Sequence, residues 1–273
     1  MLQRAKQTLG WRARRATAHW RSLPRFIVIG AQRSGTTSLF AYLARHPSVR
    51  PAYRKEVHYF DLHYDRGEYW YRSHFALSSE LKPGITTGEA TPNYLAHPEA
   101  ANRTHALVPE AKLLVLLRDP VERTHSSWRL NRRQGWETRT FEEAIEQELS
   151  QGSNGAMDGG ARHRNAAKRD DPLRWSYLLK SQYADHLDRW LLLYPLDQLL
   201  ITQSEHLFSQ PERPIKAISE FLEIQGADVS RFPRVNATEE GEIDPAIRSQ
   251  VADYLAPYNQ RLEQLVGTPF DWA

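Results

Sequence analysis

Phe26-Ile-Val-Ile-Gly30-Ala-Gln-Arg33-Ser34-Gly35-Thr36-Thr37-Ser-Leu-Phe40 is the stretch whose reading decides the fold of this chain. Its four opening apolar residues, rich in β-branched types, predict a buried strand. Gly30 ends that run, and a short loop of small residues with one cation follows. From Thr36 the pattern turns helical, with Leu39, Phe40 and Leu43 on one face. Strand, glycine loop and helix start together form a layout that holds phosphate, because backbone N–H groups converge there and glycine lets an anion come close. The spacing Gly30, four residues, Gly35, Thr36-Thr37 fits the nucleotide loop G-x-x-x-x-G-K-[ST] at each fixed place but the lysine, where Thr36 stands. That lysine reaches the outer phosphates of a nucleoside triphosphate, so its loss argues against ATP or GTP. Arg33 offers instead a fork of donors suited to a phosphate or sulfate oxygen. The plain alternative is an ordinary strand–helix turn that happens to carry an arginine.

Working outward, the next strong signal is Lys112-Leu-Leu-Val-Leu-Leu-Arg118-Asp119-Pro120. Five apolar residues in a row fit a central parallel strand covered on both faces. Pro120 suits the first turn of a helix running to about Arg132. Arg118 then stands at the carboxyl end of a parallel strand, where open α/β sheets bind ligands, and Ser126 lies two turns into the helix. Further strands are expected over 85–91 and 198–202, and helices over 98–108, 173–194, 211–222 and 244–266. The alternation around Val57 and Tyr59 predicts a short strand or extended segment, which would put Glu56 and His58 on one face. Residues 62–80, rich in aromatics, predict a helical turn over the core. Residues 151–171, glycine-rich and basic without period, predict a mobile surface loop, and 236–241 a polar loop. Strands alternating with helices give an α/β fold with one parallel sheet in a single domain over 24–273.

Composition narrows the function classes. At 273 residues, 40% hydrophobic and 25% charged, the chain has the make-up of a globular protein with a sizeable core. No stretch approaches the ~20 apolar residues that span a bilayer, and the first 23 residues contain no signal-peptide core. Zero cysteines exclude disulfides, thiol catalysis and cysteine–zinc sites. The cytoplasm is therefore the expected location, and no nucleic-acid partner is expected. The net charge of +3 hides an asymmetry: residues 1–55 hold 12 Lys or Arg and no carboxylate, and Glu56 is the first acid of the chain. The amino-terminal part is built to meet an anion. Residues 1–23, with six basic residues and Trp11 and Trp20, form a basic arm. Such a segment can lie on an anionic membrane surface, stay a solvated arm, or pack as a helix on the domain.

Three motifs together resemble one family: Gly30-Ala-Gln-Arg-Ser-Gly-Thr-Thr37, Lys55-Glu-Val-His-Tyr-Phe-Asp61 and Leu117-Arg-Asp-Pro-Val-Glu-Arg-Thr-His-Ser126. In this order they resemble the sulfotransferases that use 3′-phosphoadenosine 5′-phosphosulfate (PAPS), nearest to the heparan sulfate sulfotransferase branch and its bacterial relatives. The likeness runs over about residues 25–272. It implies a P-loop-like sulfotransferase fold. It implies that Arg33, Ser34, Gly35, Thr36 and Thr37 hold the 5′-phosphate and sulfuryl group, and that Arg118 and Ser126 grip the 3′-phosphate. It implies Glu56 as general base, because an acceptor hydroxyl must lose its proton as it attacks sulfur; His58 is the rival base. The product would be adenosine 3′,5′-bisphosphate (PAP), the acceptor a glycan, lipid or small molecule, and no metal is needed. One departure stands out. The heparan branch usually has Glu-Lys-Thr-Pro, whereas this chain has Glu89-Ala90-Thr91-Pro92, so Arg33 or a base from 162–169 must supply the missing charge. The competing readings are a P-loop kinase, weakened by the missing lysine, and a non-catalytic anion-binding protein.

Overall fold

The computed structural model describes residues 10–155, 173–226, 229, 232–235 and 241–272. Five parallel strands form one sheet in the order β2-β3-β1-β4-β5. They are β1 (Phe26–Gly30), β2 (Val49–Pro51), β3 (Thr86–Ala90), β4 (Lys112–Leu117) and β5 (Leu199–Gln203). The helices are α1 (residues 10–16), α2 (Thr36–Leu43), α3 (Tyr59–Leu62), α4 (Glu68–Arg72), α5 (Ala100–Leu107), α6 (Pro120–Arg133), α7 (Phe141–Gly155), α8 (Tyr183–Leu191), α9 (Ser204–Ser209), α10 (Glu212–Phe221) and α11 (Pro245–Val266).

The apolar runs at 26–29 and 113–117 become the two middle strands because both of their faces are covered. Ile27, Ile29, Leu113, Val115 and Leu117 pack on one side with Tyr71, Leu187 and Trp190. Phe26, Val28, Leu114 and Leu116 pack on the other with Leu39, Leu43, Ile215 and Ile218. Burying each such side chain contributes about 1.5–3 kcal/mol, enough to hold strands this short. Chain order reverses about β1: the path goes to β2 and β3 on one side, then crosses to β4 on the other. That places a crevice at the carboxyl ends of β1 and β4. There the register of the pair slips between Val28 and Gly30, and Ala31 N–H bonds the Leu116 carbonyl at 2.6 Å, so the chain lifts off the sheet to begin the loop.

The strand expected around Val57 and Tyr59 is not there. The edge strand is Val49–Pro51, and Tyr59–Leu62 is a helical turn. Between them Glu56 (φ 59°) and His58 (φ 56°) are left-handed, which breaks the alternation that would put them on one face of a strand. Val57 is buried in the core and pins the segment between those two turns. The loop expected over 151–171 is helix in its first residues, since α7 runs on to Gly155. Phe141, Ala144, Ile145 and Glu148 are buried along that helix, and propagating a helix already anchored costs little even through Gly and Ser. Residues 156–172 lie outside the described residues, as do 236–240 of the expected polar loop. The 173–194 stretch is helical only as the short turn Leu179–Ser181 and α8.

Residues 10–23 pack on the domain. Arg14 donates from Nε to Ser73 O (2.7 Å) and from Nη2 to Phe75 O (2.6 Å), and Arg21 Nη1 donates to Phe75 O (2.7 Å). Trp11 stacks on Tyr53 at 5.8 Å and meets the Trp70 and His74 rings at 6.3 and 4.6 Å. Arg12, Arg15 and Trp20 face solvent. Among the described residues no helix is long and apolar enough to cross a membrane.

Candidate active site

The loop after β1 is shaped by its two glycines. A Cβ on Gly30 would stand 2.5 Å from Leu95 Cβ, and one on Gly35 would stand 2.7 Å from the Phe208 ring. Gly35 is also left-handed (φ 83°), a conformation that costs a side-chain-bearing residue energy. The turn aims the first amides of α2, which have no acceptor within the helix, into the crevice. Ser34 is fully buried, and the Tyr183 hydroxyl is its side-chain neighbour. Thr36 is buried beside it and Thr37 half-buried.

Arg33, left-handed at φ 75°, turns its side chain across to α6. Its Nε donates to Ser126 Oγ at 3.0 Å. Two residues 93 positions apart therefore share one point, between the ends of adjacent strands. Burial first, and then the neighbouring Arg133, Arg118, Arg123 and Arg129, push the Arg33 guanidinium down to about 10. So dense a set of cations in a half-buried crevice favours an anion there. Arg118 leaves the end of β4, with Nη2 3.5 Å from Glu122 Oε2. Its backbone carbonyl accepts from the Tyr183 hydroxyl at 3.0 Å. Asp119 caps α6 through Glu122 N–H, and Pro120 occupies the first turn, as the Arg-Asp-Pro sequence implies.

At the end of β3 stands the second group. Glu56 N–H bonds the Ala90 carbonyl at 2.9 Å, so the backbone at the position where the heparan branch carries a lysine holds the acidic residue in place. Ala90 itself is buried. Glu56 Oε1 pairs with Lys55 Nζ at 2.5 Å, and Oε2 lies 3.7 Å from His58 Nε2, an ion-pair distance. On its other side His58 Nδ1 is 2.8 Å from Asp61 Oδ2. Asp61 is in turn fixed by Asn93 Nδ2 at 3.0 Å and Leu62 N–H at 2.8 Å. His58 and then Lys55 hold Glu56 down to about 2 against the opposing effect of burial. Burial opposes charge on His58, but its two carboxylate partners raise it to about 9. Glu56 and His58 are thus oppositely charged across neutral pH.

Asp61 closes the second motif, but nothing in its spacing marks it as a site residue. Its role depends on α3 turning it back under His58, three residues earlier, which a strand would forbid. Glu89, equally unmarked in the sequence, is fully buried and accepts from Tyr71 (2.7 Å), Thr91 (2.6 Å) and Tyr94 (3.1 Å) hydroxyls. Burial raises its pKa. The Tyr94 hydroxyl also accepts from Tyr59 N–H at 2.8 Å, so Glu89 braces the turn that carries His58 and Asp61.

Known proteins are similar to this chain in sequence and fold. The sulfotransferase domain profile matches residues 23–240. A membrane-associated sulfotransferase of Dictyostelium discoideum, kil1, is 29% identical over 92% of this chain and 66% of its own length. Heparan sulfate glucosamine 3-O-sulfotransferase 6 of Homo sapiens is 29% identical over 92% of this chain and 74% of its own. This chain thus spans about two thirds to three quarters of those relatives. The crystal structure of a sulfotransferase from Alicyclobacillus acidocaldarius superposes with a TM-score of 0.68 at 26% identity, covering 91% of this chain and 98% of that one. With the glycine loop, the strand-end arginine and the five-stranded parallel sheet all in place, the chain belongs to the sulfotransferase domain family.

Proposed function

We propose that this protein transfers a sulfuryl group from PAPS to an acceptor hydroxyl, with Glu56 as the general base. The observation that carries the reading is the Arg33–Ser126 hydrogen bond at 3.0 Å, which joins the loop after β1 to the helix after β4 in the crevice between them. The residues fit such a donor: the left-handed turn at Gly35 that opens α2 and the arginine cluster around Arg33 suit a phosphate-bearing anion. Ser34, Gly35, Thr36, Thr37 and Arg33 would hold the 5′-phosphosulfate, and Arg118 with Ser126 the 3′-phosphate. When bound, PAPS supplies an activated sulfur.

The acceptor oxygen–sulfur bond forms as the bond from sulfur to the bridging phosphate oxygen breaks. That oxygen keeps the electron pair, and Arg33 with the loop amides meets its growing charge. The acceptor proton goes to Glu56. The hydroxyl proton becomes strongly acidic as its oxygen bonds to sulfur, and Glu56 takes it as that bond forms. His58 is a poor rival: held protonated by Glu56 and Asp61, it has no free electron pair at neutral pH and serves to orient Glu56.

The human relative is named for a glucosamine acceptor in heparan sulfate. Here the acceptor class is a hydroxyl-bearing glycan, lipid or small molecule that passes Tyr53, Arg54 and Lys55 to reach Glu56. A cytoplasmic location goes with this reading, with peripheral contact to anionic membrane through Arg12, Arg15 and Trp20; co-sedimentation with anionic vesicles tests that contact. The function is tested by incubating the chain with labelled PAPS and a cell extract and identifying the labelled product. A melting shift with ATP–Mg²⁺ and none with PAP would instead support a kinase.

A further inference from the structure

The turn that carries His58 and Asp61 opens with three consecutive amides, and all three meet side-chain hydroxyls. Tyr59 N–H bonds the Tyr94 hydroxyl at 2.8 Å, Phe60 N–H the same oxygen at 3.4 Å, and His58 N–H the Thr91 hydroxyl at 3.4 Å. An amide N–H can only donate, so each hydroxyl must turn its own hydrogen away from the turn. Both turn it to the buried Glu89. Thr91 Oγ1 donates to Oε2 at 2.6 Å, and the Tyr94 hydroxyl donates to Oε1 at 3.1 Å. The Tyr71 hydroxyl, from α4, also donates to Oε1, at 2.7 Å; among the described residues it serves Glu89 and no amide of the turn. The segment with these hydroxyls is fastened to the strand that leads into the donor loop. Thr91 N–H bonds the Val28 carbonyl at 3.1 Å, and Leu95 N–H bonds the Ile29 carbonyl at 2.8 Å. Leu95 also packs against Gly30. The chain of contacts therefore runs from the end of β1 through Thr91 and Tyr94 to the base turn, with Glu89 beneath both.

We propose that Glu89 is a positioning residue: by accepting from both hydroxyls it sets how the turn with Glu56, His58 and Asp61 stands relative to the loop after β1, and so aims the base at the donor. This deepens, and rests on, the sulfuryl-transfer reading and adds no step to it. Both carboxylate oxygens are needed as acceptors. A glutamine here would put an NH2 group in place of one of them, facing a hydroxyl whose hydrogen already points there. Whichever way that amide turns, Thr91 or Tyr94 must reverse, and a backbone N–H of the turn loses its acceptor. The groups facing His58 from the turn are Glu56 and Asp61, so a displaced turn loosens the contacts that hold it charged.

Two buried tyrosines on one carboxylate separate this role from packing. Tyr94→Phe removes a hydroxyl that holds the turn, Tyr71→Phe removes one that does not, and each keeps its ring. The full chain is measured as wild type, Glu89→Gln, Tyr94→Phe and Tyr71→Phe. The readouts are melting temperature, PAP affinity by calorimetry, label transferred from PAPS to a cell extract, and the titration midpoint of His58 by nuclear magnetic resonance without ligand. Glu89→Gln and Tyr94→Phe should lower transfer about tenfold to a hundredfold, the scale of a misplaced catalytic group, and leave PAP affinity within about twofold. In both, the His58 midpoint should fall from about 9 by about 1 pH unit or more. Tyr71→Phe should lower the melting temperature and leave transfer and the His58 midpoint at their wild-type values. The proposal is overturned when Tyr94→Phe and Tyr71→Phe act alike on transfer or on His58, when a folded Glu89→Gln changes neither, or when PAP affinity falls as far as transfer. If Glu89→Gln does not fold, the two tyrosine variants decide. A wild-type chain that binds no PAP would defeat the sulfotransferase reading itself. That result is distinct, because the His58 comparison needs neither donor nor acceptor and still shows whether Glu89 and Tyr94 hold the turn.

Discussion

The two halves of the proposed site sit at neighbouring strand ends but are held in place in different ways. The donor loop, Gly30 to Thr37, takes its shape mainly from local turns: Ser34 N–H bonds Ala31 O and Gly35 passes directly into α2, while Ala31 N–H on Leu116 O anchors it to the sheet. The base segment, Ala52 to Leu62, has few such local ties. Its backbone hangs on distant partners: Ala52 on Gly88, Tyr53 on His74, Glu56 on Ala90 and Tyr59 on the Tyr94 hydroxyl. Its side chains rest on Trp11, Trp70 and Asn93, and Arg103 Nη1 donates to the Phe60 carbonyl. A phosphate-binding loop works by local backbone geometry, so a short motif suffices. A base must meet an acceptor whose shape the rest of the molecule defines, so its placement belongs to the whole fold. Damage on the donor side should therefore appear as lost binding, and damage on the base side as lost turnover.

The largest effect expected is on the base side. Glu56→Gln keeps shape and hydrogen bonding but cannot take the proton, so turnover should fall by about 10²–10⁴. PAP affinity, read by calorimetry, should stay the same or rise. A mutant with weakened PAP binding and nearly intact turnover at saturating donor would mean Glu56 only anchors Lys55. Next is Arg118→Ala on the donor side. It should cost about 1.5–3 kcal/mol of PAP binding and remove the preference for PAP over adenosine 5′-phosphate. Equal losses for the two ligands would take the 3′-phosphate away from Arg118.

A pH profile sharpens the contrast further. With His58 raised to about 9 and Glu56 lowered to about 2, turnover should be level from mildly acidic to mildly alkaline pH and fall as pH rises through about 9. The linked stability has the same sign. The His58 share is fully present below its ordinary value near ~6.5 and is lost as pH rises through about 9. The Glu56 share is present above the ordinary carboxylate range and is lost as pH falls through about 2. Asp61→Asn removes one of the carboxylates that hold His58 charged, so the alkaline edge should move toward neutrality by about one unit or more. A drop in wild-type turnover on acidification through ~6.5 would restore His58 as the base.

The smallest effect expected is at Trp11. Trp11→Ala removes the ring that stacks on Tyr53, three residues before Glu56. Turnover should fall about tenfold or less while PAP affinity holds, because aromatic pairs contribute about 0.5–1.5 kcal/mol beyond burial. A loss of PAP binding instead would show that residues 10–23 support the donor half as well, and the contrast between the halves would fail there.

How the site can be read from sequence follows the same division. Arg33, Ser34, Gly35, Thr36 and Thr37 are contiguous, and their chemistry can be read from spacing. Arg118 follows from five apolar residues stopped by a charge and proline, and Ser126 from helical periodicity after it. Glu56 stands out as the first acid after 55 residues that gather positive charge. Its surroundings mislead, because alternation over 54–60 has the period of a strand, while left-handed backbone at Glu56 and His58 removes the strand. Non-glycine residues take that conformation only when tertiary contacts impose it, and no propensity announces it.

What the sequence by itself determined is the parallel α/β sheet and the anion loop, since both arise from hydrophobic period, glycine placement and a capped helix start, all interactions within a few residues. The tertiary structure alone decided that Arg33 meets Ser126, that Asp61 and Glu56 flank His58, that Trp11 supports Tyr53 and that Lys180 reaches Gln32. Apart from the turn around His58, these contacts join residues from 42 to 148 positions apart. Such pairs form only when the covered faces of the sheet fix the crossing of its connections, because closing loops of that length has no local reward.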